Sequence, residues 1–98
     1  MVTINLYGKE GCDRCEHVKR KLDFFLKKWG YLETVELKYW DLDTIDGMTE
    51  ATYNDVIQTP TTVIARDGDH VAKWEGDIPD SKQLRLCIDG GGEIPSGN

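Results

Sequence analysis

The sequence is poor in cysteine (3), in proline (3) and in positive charge, and it has no long apolar run. Each shortage excludes something. Even the stretch LDFFL (Leu22–Leu26) is bracketed by lysines, so nothing approaches the roughly 20 apolar residues that span a bilayer, and no membrane partner is expected. The opening MVTINLYGKEG lacks a basic start followed by an apolar stretch, which is the layout of a secretory leader; the expected location is cytoplasmic. Three cysteines are too few, and odd in number, for a disulfide-stapled secreted domain. In a reducing compartment a close pair points to catalysis or metal binding. Twelve Lys/Arg stand against eighteen Asp/Glu, a net charge of −6, so nucleic acid is not expected as a partner.

What is present suits one domain. The chain has 98 residues, 39% hydrophobic and 31% charged, which fits one globular core and leaves no room for a second. The domain is expected over residues 1–89 and a loose tail over 90–98, where DGGGEIPSGN has little to bury. The charge is uneven. Residues 1–30 hold seven Lys/Arg and four Asp/Glu; the remainder holds five and fourteen. The cysteine-bearing segment is the basic part of an acidic protein.

Local patterns give an element order. VTINLY (Val2–Tyr7) alternates and reads as a strand. From about Asp13 the spacing of Val18, Leu22, Phe25, Leu26 and Trp29 makes one helical face, and Gly30 makes a stop. Thr34–Asp43 reads as a strand with apolar residues on both sides, which points to a central place in a sheet. Asp46–Gly47 reads as a loop. Thr49 is expected to cap a short helix through about Ile57, with Tyr53, Val56 and Ile57 inward. Thr59–Arg66 is a third strand, an Asp-Gly turn follows, and His70–Glu75 returns antiparallel. Asp80 or Ser81 caps a last helix with Leu84, Cys87 and Ile88 inward. The sum is an α/β fold, β-α-β-α-β-β-α: a four-stranded mixed sheet with helices on both faces.

The segment GKEGCDRCEHVKRKL (Gly8–Leu22) carries the chemistry. A helix beginning near Cys12 aims its unpaired amides at the Cys12 sulfur and lowers the thiol pKa from about 8.5. Cys15 lies one turn deeper on the same face. An outer nucleophile with an inner resolving thiol is what disulfide exchange needs. Lys9 and Arg14 favour the thiolate; Glu10, Asp13 and Glu16 oppose it. The alternatives are two inert core thiols, or a metal site. Cys12, Cys15, His17 and Cys87 would supply Cys₃His, but Cys87 belongs to the inner face of a distant helix, and structural zinc usually takes two such pairs. No metal is expected. Cys87 reads as a small core residue.

LYGKEGCDRC and TPTTVI resemble the thioredoxin-like superfamily, glutaredoxin-like branch, over about residues 2–89. The resemblance implies a thioredoxin-like fold and a thiol–disulfide oxidoreductase acting on protein disulfides or glutathione mixed disulfides. It implies Cys12 as the attacking and Cys15 as the resolving thiol, a cis bond at Pro60 packed against the pair, and the Thr59 backbone facing substrate. Lys9 would approach a carboxylate, and Asp80 the α-amino group of glutathione. Lys9, Arg14, Thr59, Pro60 and Asp80 are therefore the substrate-binding candidates. Glutathione is a possible co-substrate with no tightly bound cofactor; glutathione or a flavoprotein reductase is the electron donor, and a monomer is expected. The alternative is a non-enzymatic module that holds an iron–sulfur cluster or metal, or docks a partner protein. The chain departs from the family pattern. Asp13-Arg14 replaces the usual proline-aromatic pair between the cysteines, WEGDIPDS (Trp74–Ser81) replaces a Gly-Gly-x-Asp ending, Gly11 stands where thioredoxins carry tryptophan, and no residue is a clear buried acid.

Overall fold

Alternation in the first segment builds the centre of the molecule. In the computed structural model, which describes residues 2–90, strand β1 (Val2–Gly8) buries Val2, Ile4 and Leu6 on one face and Tyr7 on the other. Helix α1 (Asp13–Trp29) follows, then β2 (Val35–Asp41), α2 (Ile45–Tyr53), β3 (Thr61–Arg66), β4 (Asp69–Glu75) and α3 (Ser81–Asp89). The sheet order is β2-β1-β3-β4. β1 runs parallel to β2 and antiparallel to β3; β3 and β4 form the expected hairpin. Asp67 and Gly68 both have positive φ at its turn, which matches the right-handed twist of the flanking strands.

Three layers result. Val18, Leu22 and Leu26 of α1 and Leu84, Cys87 and Ile88 of α3 pack with Val2, Ile4, Leu6, Val35 and Ile64 on one side of the sheet. Ala51 of α2, with Val56 just beyond its end, packs with Tyr7 and Val63 on the other side. α1 ends as its sequence predicts: Gly30 is left-handed, and its N–H donates to the Leu26 and Lys27 carbonyls. Asp80 caps α3 by accepting from the Lys82 and Gln83 amides at 2.9 and 3.1 Å. Among the described residues no helix is long and apolar enough to cross a membrane. The sequence-predicted tail begins at residue 90; its residues 91–98 lie outside the described range.

Two expectations are corrected. β2 is an edge strand, not a central one. Its two-sided apolar pattern arises because both faces of the sheet are covered out to the edge: Leu37 and Tyr39 pack on the α1 side, Trp40 on the α2 side. Trp40 also stacks on Tyr7 and donates its indole N–H to Asn5 at 3.0 Å.

Helix α2 starts five residues earlier than a Thr49 cap would place it. Thr44 is the cap. It accepts from the Gly47 amide at 3.0 Å and donates to the Asp41 carbonyl at 2.7 Å. Gly47, expected in a loop, lies inside the helix, where a Cβ would overlap the Asp41 carbonyl. Close approach, not a turn, requires that glycine. The earlier start rotates the inner face onto Gly47 and Ala51 and leaves Tyr53 outside. Val56 is buried as expected, whereas Ile57 is exposed.

Asp80→Ala should lower stability by about 1 kcal/mol, the usual worth of such a cap. Leu22→Ala, at a fully buried position, should cost about 2–5 kcal/mol. Urea unfolding of the oxidised protein measures both, with the denaturant slope unchanged.

Candidate functional site

The helix start predicted near Cys12 is where the chain places it. Cys12 is the N-cap of α1, in extended conformation, and the helix runs from Asp13. Its sulfur accepts the Cys15 amide N–H at 3.1 Å. The capping acceptor is therefore sulfur, in a place usually held by serine, threonine, aspartate or asparagine. The same amides and helix dipole that favour a capping anion favour a thiolate there. Gly11, left-handed at φ +77°, turns the chain from the β1 loop into this cap.

Cys12 and Cys15 are joined in a disulfide, Cα to Cα 5.2 Å. Cys12 is half-buried, and Cys15, on the inner face of α1, is fully buried. The outer–inner asymmetry read from the spacing is present. Asp13 and Glu16 occupy the first turn; they support the helix and oppose a thiolate. Arg14 is held by the chain opposite. Its guanidinium donates from Nη1 to the Gly76 carbonyl at 3.2 Å.

That bond ties the cysteine turn to a second loop. The Gly76 amide donates to the Pro60 carbonyl at 2.7 Å, and the Thr59–Pro60 peptide bond is cis. Gln58 donates to Glu75 at 3.2 Å, and its carbonyl accepts from the Thr61 hydroxyl at 2.7 Å. Gly76 has φ +79°, and a side chain there would press on Gln58, so glycine is required. Arg14, Gly76 and Pro60 thus form one connected rim, with Pro60 buried and Thr59 partly exposed. Lys9 is exposed on the loop before Cys12, and Asp80 is exposed at the start of α3 with its Oδ1 engaged by helix amides. Among the described residues no hydrogen bond or ion pair joins Lys9 or Asp80 to that rim. Cys87 lies in the core on α3 and His17 on the exposed side of α1. Among the described residues no three His, Cys, Asp or Glu side chains gather as a metal cage.

Sequence reasoning missed what lies beneath Cys15. A Cβ on Gly8 would stand 2.5 Å from the Tyr39 hydroxyl and 3.1 Å from the Cys15 Cβ. The tyrosine hydroxyl and the resolving cysteine therefore border the same small gap, which exists because residue 8 has no side chain. Tyr39, Leu6, Thr62 and Trp74 are neighbours in a row across the four strands, on the face that α1 covers. The Thr62 hydroxyl in this row is buried with no hydrogen-bond partner among the described residues. Burial raises the Tyr39 pKa above its ordinary 10.0, and Asp41, Glu16 and Asp43 add to the effect. Tyr39 keeps its proton at neutral pH, while the Lys19 ammonium lies 4.8 Å from its ring centre. Among the described residues the buried polar ones are Thr61 and Thr62, and no carboxylate lies in the core. The signal available in the sequence was Gly8 itself, a glycine ending a strand at a face otherwise filled.

The fold is thioredoxin-like. Its arrangement is similar to thioredoxin-2 of the malaria parasite, described as a component of the protein secretion machinery, at TM-score 0.74 and 20% identity over 92% of this chain and 82% of that one. It is also similar to oxidised mitochondrial thioredoxin 3 of Saccharomyces cerevisiae, at TM-score 0.69 and 19% identity over 91% and 77%. Fasciola hepatica thioredoxin gives TM-score 0.68 and 21% identity over 91% and 79%. No family model matches the sequence. No curated protein matches it either.

The three thiols of the reduced protein should separate by reactivity. Cys12 should react with iodoacetamide at neutral pH faster than an ordinary exposed thiol, with a pH midpoint below about 8.5. Cys15 and Cys87 are sealed from solvent, and burial pushes the Cys87 thiol up, with Arg66 pulling it partly back; both should react last. Peptide mapping after timed alkylation gives the order. Gly8→Ala should press on Tyr39 and Cys15 and lower the stability of the oxidised form by about 1–3 kcal/mol, read by urea unfolding.

Proposed function

We propose that this protein is a thiol–disulfide oxidoreductase of glutaredoxin-like type. One observation carries the reading: the Cys12–Cys15 disulfide has its outer sulfur in the capping position of α1 and its inner sulfur buried. In the reduced protein the Cys12 thiolate attacks one sulfur of a substrate disulfide. That S–S bond breaks, and the departing thiolate takes a proton from solvent. Cys15 then loses its proton, attacks the Cys12 sulfur and closes the disulfide, releasing the second substrate sulfur as thiol. The substrate gains two electrons and the protein loses two. A donor, glutathione or a flavoprotein reductase, restores the dithiol.

The rim supports the binding half of this reading. Thr59 offers backbone for pairing with an extended substrate, in the manner of an added strand. Pro60, with no N–H, ends that pairing beside the sulfurs. Lys9, and Arg14 anchored to Gly76, supply positive charge at the mouth for a substrate or glutathione carboxylate. Asp80 at the start of α3 is the candidate for an α-amino group. The substrates are protein disulfides or glutathione mixed disulfides in a cytoplasmic, reducing setting, met by a monomer.

Resolution poses a problem that the core answers differently from a carboxylate. The Cys15 thiol must become an anion while buried, which burial opposes. The Tyr39 hydroxyl, held protonated, is the donor that can meet that anion.

Cys12→Ser should abolish reduction of 2-hydroxyethyl disulfide and of insulin. Cys15→Ser should instead accumulate mixed disulfides, seen as added mass on Cys12. Equal, slight losses from both would defeat the assigned roles. Tyr39→Phe should slow resolution roughly fivefold, the equivalent of a hydrogen bond worth about 1 kcal/mol. Because the Tyr39 pKa is raised, the hydroxyl stays protonated and this factor should be flat from about pH 6 to 9. Stopped-flow decay of a preformed mixed disulfide measures it.

A further inference from the structure

Helix α2 is apolar on the side where solvent should demand polarity. Its buried face is Gly47 and Ala51. The opposite face carries Ile45 (84% exposed) and Met48 (58%), with Thr49 and Thr52 further along it. Tyr53 (83%) borders it, and Ile57 (84%) follows in the segment that leads into Thr59–Pro60. Met48, Thr49, Thr52 and Tyr53 line an open depression. Single exposed apolar side chains need no explanation, but several along one helix face, with another in the segment that follows, mark a contact surface on so small a domain.

Charge says what it contacts. From Asp41 to Pro60 the chain has five carboxylates, Asp41, Asp43, Asp46, Glu50 and Asp55, and no lysine, arginine or histidine. Asp43, Asp46 and Asp55 are exposed. On the helix, Asp46 and Glu50 lie one turn apart along one side of the apolar stripe, Glu50 half-buried and accepting from the Asn54 amide at 3.3 Å. Lys73 reaches the Asp55 carbonyl at 2.9 Å but is also paired with Glu75 at 3.1 Å. An apolar stripe with an acidic border is complementary to a segment that interleaves apolar side chains with lysine or arginine.

We propose that the α2 face, from Ile45 through Ile57, is a docking surface for a basic, apolar segment of the disulfide-bearing substrate protein. The inference rests on the redox reading and names its substrate class. A substrate strand lying along Thr59 continues past Gln58 and Ile57 onto this surface. At the sulfur mouth Lys9 and Arg14 stand among Glu10, Asp13 and Glu16, whereas the stretch from Asp41 to Pro60 carries carboxylates and no cation. The contact along α2 therefore selects for positive charge set back from the reacting disulfide.

Single-turnover reduction by the dithiothreitol-reduced protein tests this. The probes are two synthetic peptides with the same disulfide-closed ring, one extended by alternating leucine and lysine, the other by alternating leucine and glutamate, beside neutral 2-hydroxyethyl disulfide. The basic peptide should be reduced about tenfold faster at low salt, with the advantage shrinking as salt rises. The combined variant Asp43→Asn, Asp46→Asn, Asp55→Asn should erase the preference. Met48→Ser with Ile57→Ser should slow the basic peptide severalfold and leave 2-hydroxyethyl disulfide unchanged, with an unaltered urea midpoint. Equal rates for the two peptides overturn the proposal, as does a preference that survives the asparagine variant. So does a sedimenting dimer that Met48→Ser with Ile57→Ser dissolves, since a second copy would then be the occupant. Failure to reduce even 2-hydroxyethyl disulfide defeats the redox reading itself.

Discussion

A single amide–sulfur contact organises this site: the Cys15 N–H pointing at the Cys12 sulfur. It exists only because α1 begins at Asp13 and because the helix is held on the sheet by its buried face, Cys15, Val18 and Leu22. The packing fixes the helix, the helix presents its unpaired amides at one end, and those amides meet a sulfur. Shifting the cap by one residue would turn Cys15 off the inner face and put Cys12 inside the helix. The asymmetry between the sulfurs is thus a property of burial and register more than of the two residues between them.

The same packing decides what can lie beneath the pair. Gly8 ends β1 where Tyr39 crosses from β2, and the space of one missing side chain is shared by the tyrosine hydroxyl and Cys15. A carboxylate in the core would have carried a desolvation cost of several kcal/mol unless paired. A tyrosine brings a polar group to the edge of the core on an aromatic body that packs as apolar surface. Tyr39 does this from an edge strand, lying against Lys19 of α1. The position of β2 at the sheet edge, which its two-sided apolar pattern disguises, is what leaves the tyrosine half-exposed rather than sealed.

Much of this was legible in the sequence, and for identifiable reasons. β1, α1, the hairpin and α3 announce themselves because local preference and tertiary need agree there. Apolar spacing, capping residues and an Asp-Gly turn all point to the same structure. Cys12 and Cys15 were legible because two residues between cysteines at a strand-to-helix junction fix both on one turn. Tyr39 was not, since nothing in a linear reading says which side chain crosses a gap left by a glycine on a neighbouring strand. The link from Arg14 through Gly76 to Pro60 was equally hidden: it joins residues 62 positions apart through backbone carbonyls, which carry no sequence signature.

The misreading of α2 is more instructive, because its cause is physical. A helix capped by Thr49 would turn Tyr53, Val56 and Ile57 inward, where large apolar residues ordinarily lie. The helix instead begins at the Thr44 cap, where the Asp41 carbonyl and the Gly47 amide both find partners. It lies so close to Asp41 that only glycine fits at 47. Once small residues take the inner face, the large ones have nowhere to go but out. Local capping and close packing therefore override hydrophobic order at α2, in contrast to α1 and α3, where the two agree. A conflict of that kind lowers stability by leaving apolar surface in water, at roughly 25 cal/mol for each Å². It persists most readily where a partner covers the surface, and α2 is the helix whose chain runs directly into the Pro60 loop.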